Sequence, residues 1–261
     1  MHYRLFLDIG NTNTKIGIGD GEKTVASFVL PSDERRTADE FGLVLVALLR
    51  HQGLDPGDME GGLACSVVPG VGKLAYDACR RFFGKKLLFA PEDVPIPLEN
   101  RYALAHEVGA DRLVGAYAAR RLFPNACSLI SVDYGTATTF DCVEDNAYLG
   151  GLICPGVLSS LSALTSRTAK LQSVSLEVED AAPSPGISTA TSLNHGFVFG
   201  FAAMTEGLCD RLAAGMRGPV GIVGTGGFAP AVAKVTRRFD AVLPDMLLEG
   251  LRLLYKERIN G

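Results

Sequence analysis

The feature that most limits how this chain can fold is a pattern that occurs twice. Residues 5–18 read Leu-Phe-Leu-Asp-Ile-Gly-Asn-Thr-Asn-Thr-Lys-Ile-Gly-Ile, and residues 129–141 read Leu-Ile-Ser-Val-Asp-Tyr-Gly-Thr-Ala-Thr-Thr-Phe-Asp. In each, an apolar run delivers an aspartate (Asp8, Asp133) to a glycine turn (Gly10, Gly135), and a threonine-rich stretch leaves it. That is a strand, a tight turn and a second strand. One Asp-x-Gly hairpin is an ordinary turn, because Asp and Gly are common turn residues. Two of them, 125 positions apart in a 261-residue chain, imply a duplicated domain with a cleft between the halves. Each half would offer its own loop to one nucleotide, since backbone N–H and hydroxyl groups donate to phosphoryl oxygens while a carboxylate holds a cation.

Composition narrows the class. At 47% apolar residues the chain has ample material for a core, and a net charge of −4 with pI near 5.6 gives no general affinity for nucleic acid. The six cysteines show no Cys-x-x-Cys spacing and fall mostly in apolar segments, as free thiols of a reducing compartment do. No charged region followed by an apolar one opens the chain, because Asp8 interrupts the first strand. The uncharged stretch 146–166 is long enough to span a bilayer, but Gly150-Gly151, Pro155-Gly156 and several serines break it. The expectation is a cytoplasmic protein with no membrane segment.

In order, the first hairpin continues through Gly19-Asp20-Gly21 into a third strand, 24–30, completing a meander. Thr37-x-x-Glu40 is a capping box for a helix running to Gly53. A strand over 63–68, a helix from Val71 to Gly84 and a strand over 87–90 follow, and the proline-rich 91–104 reads as loop. A helix opens at Gly109-Ala110-Asp111-Arg112. The second half repeats the plan, with strands over 128–133, 136–143 and 147–154, a helix over 158–166, and a polar surface excursion over 168–187. A long helix from about Thr189 contains Gly196 and Gly200, whose helix-weakening effect implies compensation by tight packing. A strand over 219–223 leads through Gly224–Gly227 into another helix, and the last helix covers 245–258. Strand meanders followed by strand–helix alternation, twice over, make the fold α/β, with domains expected at 1–115 and 116–261.

The sequence resembles the type III pantothenate kinases, within the superfamily of sugar kinases, actin and heat-shock chaperone ATPases. The likeness runs nearly end to end. It rests on Asp8-Ile-Gly-Asn-Thr-Asn, Ser66-Val-Val-Pro, Val108-Gly-Ala-Asp-Arg112, Asp133-Tyr-Gly-Thr-Ala-Thr-Thr, Gly150-Gly-Leu-Ile-Cys-Pro-Gly156, Arg167-Thr-Ala-Lys-Leu171 and Gly226-Gly227. The resemblance implies duplicated actin-like (ribonuclease H-like) domains and ATP-dependent phosphorylation of pantothenate to 4′-phosphopantothenate, the first step toward coenzyme A. It implies that Asp8, Ile9, Gly10, Asn11, Thr12, Asn13, Thr14 and Lys15 form the first phosphate loop and that Thr136 contacts ATP. Asp133 would bind a monovalent cation, K+ or NH4+. Gly109, Ala110, Asp111 and Arg112 would cradle pantothenate, with Asp111 as proton acceptor, and Tyr102 and Thr189 would also touch it. Mg2+ accompanies ATP, and the family works as a homodimer with its substrate pocket at the interface. This chain departs from the family at Leu104-Ala105, where Asn-Pro is usual, and at Gln172, where proline is usual.

The residues themselves leave several roles open. Two carboxylates near one triphosphate repel unless cations intervene, so Asp8 and Asp133 read as holders of cations or water, or else as turn caps. An aspartate before an apolar helix is an ordinary N-cap, and a helix N-terminus lowers its pKa. A loose phosphoryl-transfer transition state nevertheless needs little early proton removal, so Asp111 would still serve as base. The Arg112 fork suits a carboxylate anchor or a solvated helix face. Lys15 is either a phosphate contact or an outward strand residue, Tyr102 either a pocket wall or a packed aromatic, and Thr189 either a helix cap or a substrate contact. Gly224–Gly227 reads as backbone approaching adenosine or as a plain strand-to-helix turn. Two other readings compete: a kinase for another small hydroxy compound, and a regulatory ATP-binding module without acceptor chemistry.

Overall fold

The computed structural model describes residues 2–166, 176–178 and 182–260. The Arg167–Leu171 stretch, Gln172 and much of the expected excursion over 168–187 lie outside the described residues. The first half runs β1 (Tyr3–Ile9), β2 (Asn13–Gly19), β3 (Thr24–Pro31), α1 (Ala38–His51), β4 (Met59–Ser66), α2 (Pro69–Phe83), β5 (Leu87–Phe89), β6 (Glu99–Asn100) and α3 (Ala110–Leu122). The second runs β7 (Ser128–Tyr134), β8 (Ala137–Glu144), β9 (Ala147–Pro155), α4 (Val157–Ser166), α5 (Thr189–Ala213), β10 (Val220–Thr225), α6 (Ala229–Ala233), β11 (Ala241–Val242) and α7 (Met246–Asn260).

Contacts divide the chain into two units. The first comprises 1–98, 104–121 and 247–261; the second comprises 99–103 and 122–246. The sequence expectation divides the chain once, after residue 115. The contacts instead keep all of α3 but its last residue, Leu122, in the first unit and return α7 to it from Leu247 on. In the first unit the strand order is β3-β2-β1-β4-β5, with β1 antiparallel to β2 and parallel to β4. In the second the order is β11-β10-β7-β8-β9-β6, with β7 antiparallel to β8 and parallel to β10. Read from β9 toward β11, the second sheet repeats the first strand for strand and direction for direction, with β6 added at its edge. The repeated motif is therefore a repeated topology.

Side-chain alternation decides what each face of the first sheet meets. Leu5, Leu7 and Ile9 of β1, with Ile16 and Ile18 of β2, pack on Phe41, Leu45 and Leu49 of α1 and Leu74, Ala75 and Ala78 of α2. Phe6 of β1 and Leu63 and Cys65 of β4 look the other way, onto Val114 and Tyr117 of α3 and Leu248, Leu251 and Leu254 of α7. Asp8, two residues beyond Phe6, falls on this α3-facing side. The capping box forms as expected: Glu40 N–H donates to Thr37 Oγ1 at 3.2 Å, and Thr37 N–H to Glu40 Oε2 at 2.8 Å. In the second unit, Ile130, Val132 and Tyr134 of β7 join Phe140, Cys142 and Ile222 against Val157 and Leu161 of α4, Val198 and Ala202 of α5 and Val232 of α6.

Two expectations are corrected. The 91–104 stretch is not all loop, because Glu99–Asn100 pairs in parallel with Ala147–Tyr148. Gly196 and Gly200 do not sit under a tightly packed neighbour: a Cβ at either meets nothing within 4 Å. With Leu193, Phe197, Phe201 and Met204 they line an open apolar cavity of about 260 Å³. No helix among the described residues is long and apolar enough to cross a membrane.

Candidate active site

Within the first unit, one of the expected carboxylates bonds a thiol and a second acts on it through its charge. Asp8 ends β1 directly beside Cys65 of the parallel strand β4, and the Cys65 Sγ–H donates to Asp8 Oδ1 at 3.7 Å. Asp111 stands on the first turn of α3, the helix that covers this face, and its charge also acts on Cys65. Burial and the two neighbouring carboxylates push the Cys65 thiol well above its ordinary range, so it stays protonated. Lys15 lies opposite Asp8 on β2 and, as its register partner, shares its face.

The local geometry explains why α3 starts where it does. Gly109 supplies the carbonyl that accepts the Leu113 N–H, and Asp111 is the second residue of the helix rather than its cap. A Cβ at Gly109 would collide with Asp111 Oδ1, so glycine there leaves room for the carboxylate. Asp111 Oδ1 accepts the Arg112 N–H at 2.8 Å. That bond and the Arg112 charge pull the Asp111 pKa down, but burial outweighs them and the net shift is upward. This corrects the expectation of a lowered pKa: taking the carboxylate out of water outweighs the helix terminus, which makes Asp111 a stronger base.

The first loop is braced from inside. Gly10 N–H donates to the Asn13 carbonyl at 3.0 Å, and Ser32 N–H to the Thr12 carbonyl at 2.9 Å. The Ser32 hydroxyl donates to the Gly10 carbonyl at 2.6 Å and pairs with Thr14 Oγ1 at 2.9 Å. Ile9 and Thr14 are buried, whereas Asn11, Thr12 and Asn13 are exposed at the tip. Ser32 is a residue the sequence reasoning missed; a serine after an edge strand carries no signal of the turn it will brace.

The second loop is held differently. Asp133 pairs in register with Thr225 of β10, and Gly226, with φ +86°, follows it. A Cβ at Gly226 would collide with Asp133 Oδ1 and the Tyr134 backbone, so the glycine approaches the aspartate turn itself; Gly227 is exposed and unobstructed. Thr136 is exposed at the tip, its carbonyl accepting the Ser159 hydroxyl at 2.7 Å. Tyr102 belongs to the second unit, half-buried against Gly150. Thr189 is the exposed first residue of α5, and the cap is Ser188, boxed with Thr191, so the cap reading of Thr189 is corrected.

Among the described residues, no three His, Cys, Asp or Glu side chains converge on one point. Hard cations bound through one or two carboxylates together with substrate phosphates need no such cluster, and the oxygen donors of Asp8 and Asp133 suit them.

Two α/β units that share a five-strand order, each with an Asp-x-Gly turn at the end of its first strand, define an actin-like fold. Solved structures share the fold: component A of (R)-2-hydroxyglutaryl-CoA dehydratase from Acidaminococcus fermentans matches with TM-score 0.57 at 17% identity, covering the whole of both chains. The ethanolamine utilization protein EutJ from Carboxydothermus hydrogenoformans matches with TM-score 0.52 at 13% identity, over 98% of this chain and 89% of its own. The sequence profile of the type III pantothenate kinases matches residues 4–211. A type III pantothenate kinase of Nitratidesulfovibrio vulgaris (strain Miyazaki F) is 62% identical over 257 residues, covering 98% of each chain. One of Oleidesulfovibrio alaskensis is 59% identical over 97% of this chain and 96% of its own, and one of Dehalococcoides mccartyi (strain 195) is 39% identical over 96% of each. The chain belongs to the type III pantothenate kinase family.

Proposed function

We propose that this enzyme transfers the γ-phosphoryl group of ATP to pantothenate, giving 4′-phosphopantothenate and ADP, the entry reaction to coenzyme A. The observation that supports this reading is that two carboxylates of the motif act on one buried thiol: Asp8 accepts a hydrogen bond from Cys65, and the half-buried Asp111 acts on it through its charge. Phosphoryl transfer to an alcohol asks for positioning and charge neutralisation more than for covalent chemistry. Asp111 accepts the proton of the acceptor hydroxyl as its oxygen bonds to phosphorus and the bond to the ADP bridging oxygen breaks. Arg112, one residue on, offers its guanidinium fork to the acceptor's carboxylate. Tyr102 and Thr189 complete the acceptor contacts.

The exposed amides and side chains of Asn11, Thr12 and Asn13, with Lys15 beside Asp8, receive the phosphates, and Thr136 contacts the nucleotide from the second loop. Asp8 would hold Mg2+ directly or through water, and Asp133 a monovalent cation such as K+ or NH4+. When bound, these ions neutralise phosphate charge and fix its orientation. The enzyme works as a homodimer, and the open apolar groove around Gly196 and Gly200 on α5 is a surface for a second copy. Its cysteines are free thiols, in keeping with a cytoplasmic enzyme.

Purified protein incubated with ATP, Mg2+ and K+ should form ADP when pantothenate is added and not with a panel of other alcohols and sugars. ATP hydrolysis indifferent to pantothenate would overturn the assignment.

A further inference from the structure

The Gly150-Gly151 pair is a part of the sequence pattern that the proposed chemistry leaves without a task. Gly150 lies in β9 at a register shift, where Cys142 faces Gly150 but Val143 faces Tyr148, and its φ is +115°. Such a backbone favours glycine. The strand β6 runs parallel beside it with Asn100 opposite Tyr148, so the next step in register sets Tyr102 over Gly150. A Cβ at Gly150 would come within 3.2 Å of Tyr102 Cδ2 and 3.4 Å of Cε2, inside ordinary packing distance. The missing side chain is the seat of the ring.

The rest of the seat is rigid. The Tyr102 ring lies 6.4 Å from the Tyr148 ring, inclined by 32°. Tyr148 is fully buried and donates its hydroxyl to Asp141 Oδ1 at 2.9 Å; Thr139 donates to Asp141 Oδ2 at 3.1 Å. Asp141 is only 4% exposed, so these buried donors are costly to remove. Tyr102 N–H donates to Asn100 Oδ1 at 3.0 Å, and Arg101 N–H to the Tyr148 carbonyl at 2.9 Å. Backbone and ring of the tyrosine are thus tied to the same two strands, in a chain whose next residues but one, Leu104-Ala105, supply no proline to stiffen them.

We infer that Gly150 and Tyr148 are positioning residues for the acceptor: they set the height and tilt of Tyr102, and through it the affinity for the pantothenate-class hydroxy acid. This rests on the proposed contact of Tyr102 with the acceptor. The test is steady-state kinetics on the full chain, with KM measured separately for pantothenate and ATP. Gly150→Ala should raise the pantothenate KM by about tenfold and leave the ATP KM within about twofold. In a Tyr102→Ala background the same substitution should add nothing, because its effect passes through the ring. Tyr148→Leu provides the same cycle with no change at the φ +115° position, should Gly150→Ala fold poorly. Additive effects, or equal changes in both KM values, overturn the inference and leave the acceptor assignment standing. A Tyr102→Ala enzyme with an unchanged pantothenate KM overturns both.

Discussion

The two Asp-x-Gly hairpins share a strand order and a turn, yet their surroundings differ in one decisive respect. Asp8 points to a face that its own unit covers with α3, whose first turn carries Asp111. The helix that follows the second repeat as α3 follows the first, α7, belongs to the first unit from Leu247 on and packs there with α3 on the same face. Cys65 stands beside Asp8; Thr225 and a close-approaching glycine stand beside Asp133. In the proposed mechanism duplication supplies two phosphate loops, and the sequence at the start of one helix makes one of them the side of the chemistry. On that reading symmetry of fold sets where charge would be held, whereas the base would be a local addition.

Breaking each carboxylate in turn separates the two loops. Asp8→Asn should lower kcat/KM by about a thousandfold, in the range of lost electrostatic stabilisation at a reacting centre. Asp133→Asn should cost less, about a hundredfold, and abolish the dependence on K+; equal losses with the K+ response retained would erase the distinction. Kinetics over a K+ series reads both.

The smaller effects sharpen the contrast. Gly226→Ala introduces a Cβ against Asp133 Oδ1 at a positive φ, and should lower Tm by about 5 °C as well as activity. Burial raises the Asp111 pKa, so the folded state binds that proton more tightly than the unfolded chain. The associated stability is present below the ordinary carboxylate pKa and lost as pH rises through the folded value. Asp111→Asn should therefore raise Tm at neutral pH, with the gain over wild type vanishing on acidification; a variant less stable at neutral pH contradicts the burial argument. The smallest effect is expected at Cys65: its buried, protonated thiol should resist alkylation in the native protein, and Cys65→Ser should change kcat by no more than a few-fold, as mass spectrometry and kinetics would show.

Local chemistry made much of this legible beforehand. Alternation placed the hairpin strands to within a residue or two, and Thr37 and Glu40 announced α1 because a capping box is a four-residue event. What long-range packing decides was not legible. The sequence expectation starts a strand at 63, yet β4 begins at Met59, because the missing Cβ at Gly62 lets the strand approach the Leu5 carbonyl. The two-residue strand Glu99–Asn100 has no periodicity to detect, and only its pairing with β9 defines it. The return of α7 to the first unit leaves no mark in its own residues. At the candidate site, Asp8, Asp111 and Asp133 stood out by motif, while Ser32, Cys65 and the upward shift of Asp111 depend on what surrounds them.

The most direct test of the central claim compares wild type and Asp111→Asn in the same preparation, measuring nucleotide affinity by calorimetry and pantothenate-dependent ADP formation by kinetics. The account predicts unchanged ATP binding with turnover reduced by roughly a hundredfold to ten-thousandfold, the span of lost general-base catalysis. An Asp111→Asn enzyme that binds ATP and phosphorylates pantothenate at close to the wild-type rate would contradict it.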